Sequence, residues 1–144
     1  MEIETTGKVT VPARIENLWD VHDLGRQAIA AEDVRVIEVP DALVDTGATM
    51  LSMPRKLIEQ LGLQRTRTRS ARTAAGTAQF GIYQAVRLTI QGRDCLAEVA
   101  ELPDECPVLI GQIPLEALDF VVNPASQKLV GNPDHGGEQM IDLF

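Results

Sequence analysis

In this 144-residue chain, one aspartate stands where a carboxylate is costly to place without a reason. Leu43-Val44-Asp45-Thr46-Gly47-Ala48-Thr49 runs from an apolar stretch into Asp45 and on through a tight Thr-Gly turn to a second hydroxyl residue. Desolvating a charge behind a buried strand is unfavourable. A carboxylate at the end of a rigid strand, held in a glycine turn, is well placed to give or take a proton. The plainer reading of Asp45 is a turn residue whose side chain bonds its own backbone. The two histidines, His22 and His135, lie far apart in sequence, with no metal-ligand spacing to each other or to Cys95 and Cys106. They read as surface or loop residues, so neither a metal nor a cofactor is expected.

The elements around Asp45 follow from periodicity and turn chemistry. Val9, Val11, Ala13 and Ile15 alternate with polar residues as a half-buried strand, and Pro12 marks an edge or a bulge. Asn17 to Ala31 reads as irregular or as a short helix. Val34 to Val39 is a second strand, expected to end in a Pro40-Asp41 turn. Ala42-Leu43-Val44 then delivers Asp45. Ser52 is positioned to cap a helix from Met53 to Leu61, with Gly62 as its stop and Leu57, Ile58 and Leu61 on one face.

Arg65, Arg67 and Arg69 alternate with threonines as a solvated strand face. Thr73 to Ala78 is the tip of a hairpin whose second arm, from Gln79 to Tyr83, runs on toward Val86 to Ile90. A turn at Gln91 to Asp94 leads to a strand through Cys95, Ala97 and Val99. Pro107-Val108-Leu109-Ile110-Gly111 is a second apolar run ending in glycine, followed by an expected helix from Pro114 to Phe120. Val121-Val122 and Lys128 to Val130 flank an Asn123-Pro124 turn as a further hairpin. The polar tail from Gly131 ends in Met140-Ile141-Asp142-Leu143-Phe144, an apolar terminus that either docks or frays.

The length suits one domain with a respectable core. Residues are 44% apolar and 24% charged, with formal net charge −8. That acidity argues against broad binding to nucleic acid or anionic membrane, and the four arginines from Arg65 to Arg72 are too few to reverse it. No apolar run is long enough to span a bilayer. Met1-Glu2-Ile3-Glu4 is acidic and polar, unlike a signal peptide. Two cysteines make no disulfide framework. A reduced, cytoplasmic protein with partly buried thiols is the expectation.

The order of elements around Asp45-Thr46-Gly47 resembles the retropepsin family, the retroviral-type aspartic proteases and their bacterial relatives. The resemblance covers about Val34 to Val130. It is strongest in Val44 to Leu63 and in Val108 to Leu118, where Val108-Leu109-Ile110-Gly111-Gln112-Ile113-Pro114-Leu115 carries it. It implies an all-β fold with one or two short helices, closed as a retropepsin-like barrel with one lobe per chain. It further implies that residues 1–144 form a single protease domain with a polar tail from 131 to 144.

By the same resemblance, Asp45 is the catalytic residue, and Thr46, Gly47 and Ala48 complete the active-site loop. Ala75, Gly76 and Thr77 would be the flap over substrate, and Ile110 and Gly111 would pack beside the catalytic loop. The chemistry needs two carboxylates, one to take a proton from water and one to donate to the peptide carbonyl. Two carboxyls a few ångströms apart cannot both ionise and so share a proton, behaviour for which aspartic proteases are the standard example. Only one Asp-Thr-Gly occurs here, so the second carboxylate is expected from a second copy across a twofold axis. The implied partners are a peptide or protein substrate and a homodimer mate. A non-catalytic peptide-binding or scaffold module on the same fold is the alternative.

Overall fold

Alternating apolar residues and β-branched side chains favour strands over much of this chain. In the computed structural model, which describes residues 8–143, strands predominate and the α-helices are short. The acidic start from Met1 to Glu4 and the terminal Phe144 lie outside the described residues.

Strand β1 (Val9–Asn17) buries Val9, Val11, Ala13 and Ile15 and turns the residues between them outward. It pairs antiparallel with β2 (Val36–Val44), and the register slips between Val11, opposite Ala42, and Ala13, opposite Val39. Pro12 therefore faces both Pro40 and Asp41. This corrects the expected Pro40-Asp41 turn, because β2 runs unbroken through it. The two prolines share one bulge, where a residue lacking an N–H costs little pairing.

Helix α1 (Leu18–Gly25) occupies the stretch that sequence leaves between irregular and helical. Its N-cap Asn17 is buried, accepts from the Asp20 N–H at 3.1 Å and donates to the Leu61 carbonyl at 2.8 Å.

Strand β3 (Leu51–Pro54) precedes α2 (Arg55–Gln60). The helix expected from Met53 under a Ser52 cap thus starts two residues later, and Ser52 caps nothing. Leu51 and Met53 are completely buried. Ser52 instead pairs with Ala100 on one side and Leu109 on the other. Burial and two ladders of strand bonds outweigh a side-chain cap of about 1 kcal/mol. Gly62 does end the helix, with φ of +66°, and the Arg35 guanidinium fills the space where its side chain would be.

Strands β4 (Arg65–Thr73) and β5 (Gly76–Ile90) form the long hairpin, and β6 (Arg93–Leu102) returns along β5. The short β7 (Leu109–Ile110) leads into α3 (Gln112–Leu118), which starts and ends two residues earlier than expected. Strands β8 (Phe120–Asn123) and β9 (Lys128–Gly131) make the expected second hairpin.

The main sheet has the order β1-β2-β7-β3-β6-β5-β4, and β1 also pairs with β5. Six strands therefore return on themselves as a ring, with β4 outside it. The core is one cluster including Ile15, Leu51, Met53, Leu88, Val99, Ile110 and Leu118. Among the described residues, no helix is long and apolar enough to cross a membrane.

Candidate active site

Three strands converge beneath Asp45. The end of β2 runs parallel to β7, pairing Leu43 with Leu109 and Val44 with Ile110. On its other side β7 pairs with β3. The segment from Asp45 to Met50 bridges β2 to β3 across the end of β7. The Leu43 N–H donates to the Val108 carbonyl at 2.8 Å, and the Asp45 N–H to the Ile110 carbonyl at 3.0 Å. Asp45 is thus clamped by its backbone at the rim of the core.

Its side chain is also held. The Gly47 N–H donates to Asp45 Oδ1 at 3.0 Å, and the Ala48 N–H to the Asp45 carbonyl at 3.1 Å. A Cβ on Gly47 would lie 3.3 Å from Asp45 Oδ1, so glycine leaves the carboxylate room. Asp45 is half-buried, and Thr46, Gly47 and Thr49 are exposed. The self-bonded turn is therefore present, and it fixes an accessible carboxylate rather than hiding it.

The far side of the loop is anchored by the start of α3. The N–H groups of Gly111, Gln112 and Ile113 donate to the carbonyls of Met50 (3.1 Å), Ala48 (2.8 Å) and Thr49 (2.9 Å). Helix starts leave N–H groups without intrahelical partners, and here the Asp45 loop supplies acceptors. Gly111 is buried against Met50 with no space for a side chain. Ile110 is fully buried beneath the loop.

This strand-borne Asp-Thr-Gly turn, locked to a buried Ile-Gly, falls inside a recognised sequence family. Residues 38–117, more than half of the chain, match the family described as gag-polyprotein putative aspartyl protease. The chain belongs to this family. No curated protein sequence matches it.

The match in this aspartyl protease family member spans the Asp45 loop, the long hairpin and α3, within the region of resemblance noted above. The hairpin turns at Ala74-Ala75, with Thr73 opposite Gly76. Thr73 Oγ1 donates to the Gly76 carbonyl at 2.7 Å and accepts from the Ala75 N–H at 3.2 Å. Gly76 has φ of +116°. Ala75, Gly76 and Thr77 are exposed at the tip. The structure groups Asp45, Thr46, Gly47, Ala48, Ile110 and Gly111 in one bonded unit. The tip triplet is a separate unit.

The basic strip is partly neutralised at the hairpin's base. Arg67 grips Glu98 with two bonds of 2.7 and 3.0 Å, and Arg65 crosses Gly81 to reach Glu101 at 3.0 Å. The Arg67 bond holds the Glu98 carboxyl below its ordinary range. Arg69 and Arg72 extend toward the tip from an exposed strand. A cavity of about 400 Å³ lies at this base, between Arg55, Phe80, Glu101 and Asp104, and it does not include Asp45.

Cys95 and Cys106 are free and half-buried. Burial, with help from Asp94, pushes the Cys95 thiol up to about 11. It is therefore a poor nucleophile at neutral pH. Among the described residues no group of three or more His, Cys, Asp or Glu could hold a metal ion.

Sequence reasoning missed two polar centres. Asp20 accepts from the Arg35 backbone N–H at 3.0 Å and from its guanidinium at 2.8 and 3.0 Å. Asp119, buried with a left-handed backbone after α3, collects His135, Asn132 and the Met140 N–H. Its signal was available: Asp119 stands between Leu118 and Phe120-Val121-Val122, a carboxylate in an apolar run, as Asp45 is.

Proposed function

We propose that this chain is an aspartic endopeptidase that works as a homodimer, with Asp45 from each of two copies forming the catalytic pair. The observation that carries the reading is an accessible Asp45 carboxylate, pinned by the Gly47 N–H, on a loop bonded to α3. Membership of an aspartyl protease family supports it. The ring of six strands is a framework suited to a retropepsin-like barrel, one lobe per chain.

In this reading one ionised Asp45 takes a proton from water as the oxygen adds to the peptide carbonyl. The protonated partner donates to the developing oxyanion. Collapse of the tetrahedral species breaks the C–N bond, and the leaving nitrogen takes a proton from the pair. The exposed Thr46 ties the two loops across the twofold axis. The tip Ala75-Gly76-Thr77 closes over a peptide bound as an added strand, excluding water. The whole chain acts as one domain, in the reducing cytoplasm where free thiols persist.

The test is incubation with a diverse peptide library, read by mass spectrometry, for the wild type and Asp45→Asn. The amide still accepts from Gly47 but cannot take the proton from water. Cleavage falls by on the order of 10³-fold or more in the variant. Equal cleavage by both proteins refutes the assignment. Peptide binding without cleavage by the wild type favours the scaffold alternative.

A further inference from the structure

The C-terminal segment after β9 is strapped across the end of α3 and the start of β6 by bonds that the proposed catalysis does not use. Gln139 donates to the Asp94 and Ala117 carbonyls, and the Met140 N–H to Asp119 Oδ2 at 3.0 Å. Arg93 bonds the Gly137, Leu118 and Asp119 carbonyls and lies over the Phe120 ring. His135 stands between two carboxylates, its Nδ1 2.6 Å from Asp119 Oδ2 and its Nε2 3.2 Å from Asp142 Oδ2.

We propose that this strap carries a pH-gated latch, in which His135 holds the end of the segment, residues 141–143, when protonated and releases it when neutral. The geometry sets the direction. An imidazolium has two N–H donors, one for each carboxylate. A neutral ring has one, so one nitrogen lone pair must face a carboxylate. Asp119 is buried and keeps Asn132 and Met140 as further donors. Asp142 is 82% exposed and makes the longer contact, so its arm is the one that lets go.

The acidic groups around His135 agree on the sign. Asp119 faces it from the end of α3, and Asp142, Asp134 and Glu138 share the strap. On β6, Asp94 lies under Gln139, and the cation Arg93 is engaged with three carbonyls. The bond to Asp119, and next that to Asp142, raise His135 above its ordinary value, which is about 6.5. The latch therefore holds most strongly below about 6.5 and loosens as pH rises through the higher folded value. Asp119, lowered chiefly by His135, keeps its charge below the ordinary carboxylate range, so the inner arm of the pair stays ionised. An exposed ion pair is weak, so opening is a several-fold change in population. The end set free carries Ile141 and Leu143, both mostly exposed.

The test is NMR on the full chain from about pH 5.5 to about pH 9, spanning the ordinary histidine range. The His135 ring shift and the backbone ¹⁵N relaxation of Ile141, Asp142 and Leu143 are followed together. Order in these three residues falls at the midpoint of the His135 titration, and Met140 stays protected from exchange. Asp142→Asn, a change at an exposed side chain, leaves the three residues mobile at every pH and lowers the His135 midpoint. Order that ignores pH, or that Asp142→Asn leaves unchanged, overturns the latch.

Discussion

Gly111 lies against Met50 so closely that a Cβ on it would sit 2.7 Å from the Met50 nitrogen and 2.7 Å from the Thr49 carbonyl carbon. Both are backbone atoms of the loop that begins at Asp45, and the Gly111 N–H donates back to the Met50 carbonyl. A side chain here cannot be accommodated by rotating a neighbour. Gly111→Ala therefore destabilises the protein by about 3 kcal/mol, at the upper end of overpacking costs. Urea denaturation reads this as a lower midpoint at an unchanged slope. The Asp45 loop moves with it, so any peptidase activity is lost as well. A variant as stable as the wild type would mean that the loop and α3 are not locked together.

The proposed homodimer predicts its own signature in dilution and mixing. One Asp-Thr-Gly per chain makes two copies obligatory for a carboxylate pair. Specific activity falls on dilution, in step with dissociation measured by sedimentation. Excess Asp45→Asn chains poison wild-type activity through hybrid dimers. Constant specific activity at concentrations where only monomer sediments would dispose of the shared pair.

At the hairpin tip, Gly76 has φ of +116° and open space around it. Gly76→Val therefore meets no clash and costs only local backbone strain, about 1–3 kcal/mol. The tip responds by changing its turn, and peptide positioning suffers. We expect kcat/KM to drop by roughly tenfold or more, since small misplacements are expensive in catalysis. Thermal unfolding should move only modestly. An unchanged kcat/KM would remove the tip from the mechanism.

Acid stability is set in part by Asp20. The Arg35 hydrogen bond lowers the Asp20 carboxyl below its ordinary value, against the opposing effect of burial. A depressed carboxyl stabilises the fold above its unfolded value, about 3.9. That contribution fades as pH falls through the lower folded value. Asp20→Asn loses the charge-assisted bonds at neutral pH, at a cost of about 2 kcal/mol. The gap between wild type and variant closes in strong acid. Denaturation midpoints measured across the acid range check this, and a gap independent of pH would contradict it.

Several features were legible because their causes lie within a few residues. The alternation of Val9, Val11, Ala13 and Ile15 announced β1, and Gly62 announced the stop of α2. Asn123-Pro124 announced the β8–β9 hairpin. Leu43-Val44 before Asp45-Thr46-Gly47 was enough to place a carboxylate at a strand end in a tight turn, and Ile110-Gly111 before a helix was visible as its companion run.

Strand periodicity, the turns and the chemistry available at Asp45 are written in the order of neighbouring residues. Tertiary structure alone decided which of the competing local readings won. Pro40 looks like a break until Pro12 is placed opposite it in the same bulge. Ser52 looks like a helix cap until β6 and β7 are laid on either side of it. Asp119 and His135 are sixteen residues apart and become a bonded pair only when α3 and the strap are packed together. Periodicity and turn preference act between near neighbours in the chain. Strand register, burial and ion pairing act between residues that only folding brings within a few ångströms, and where the two conflict the larger buried area and the fuller set of hydrogen bonds prevail.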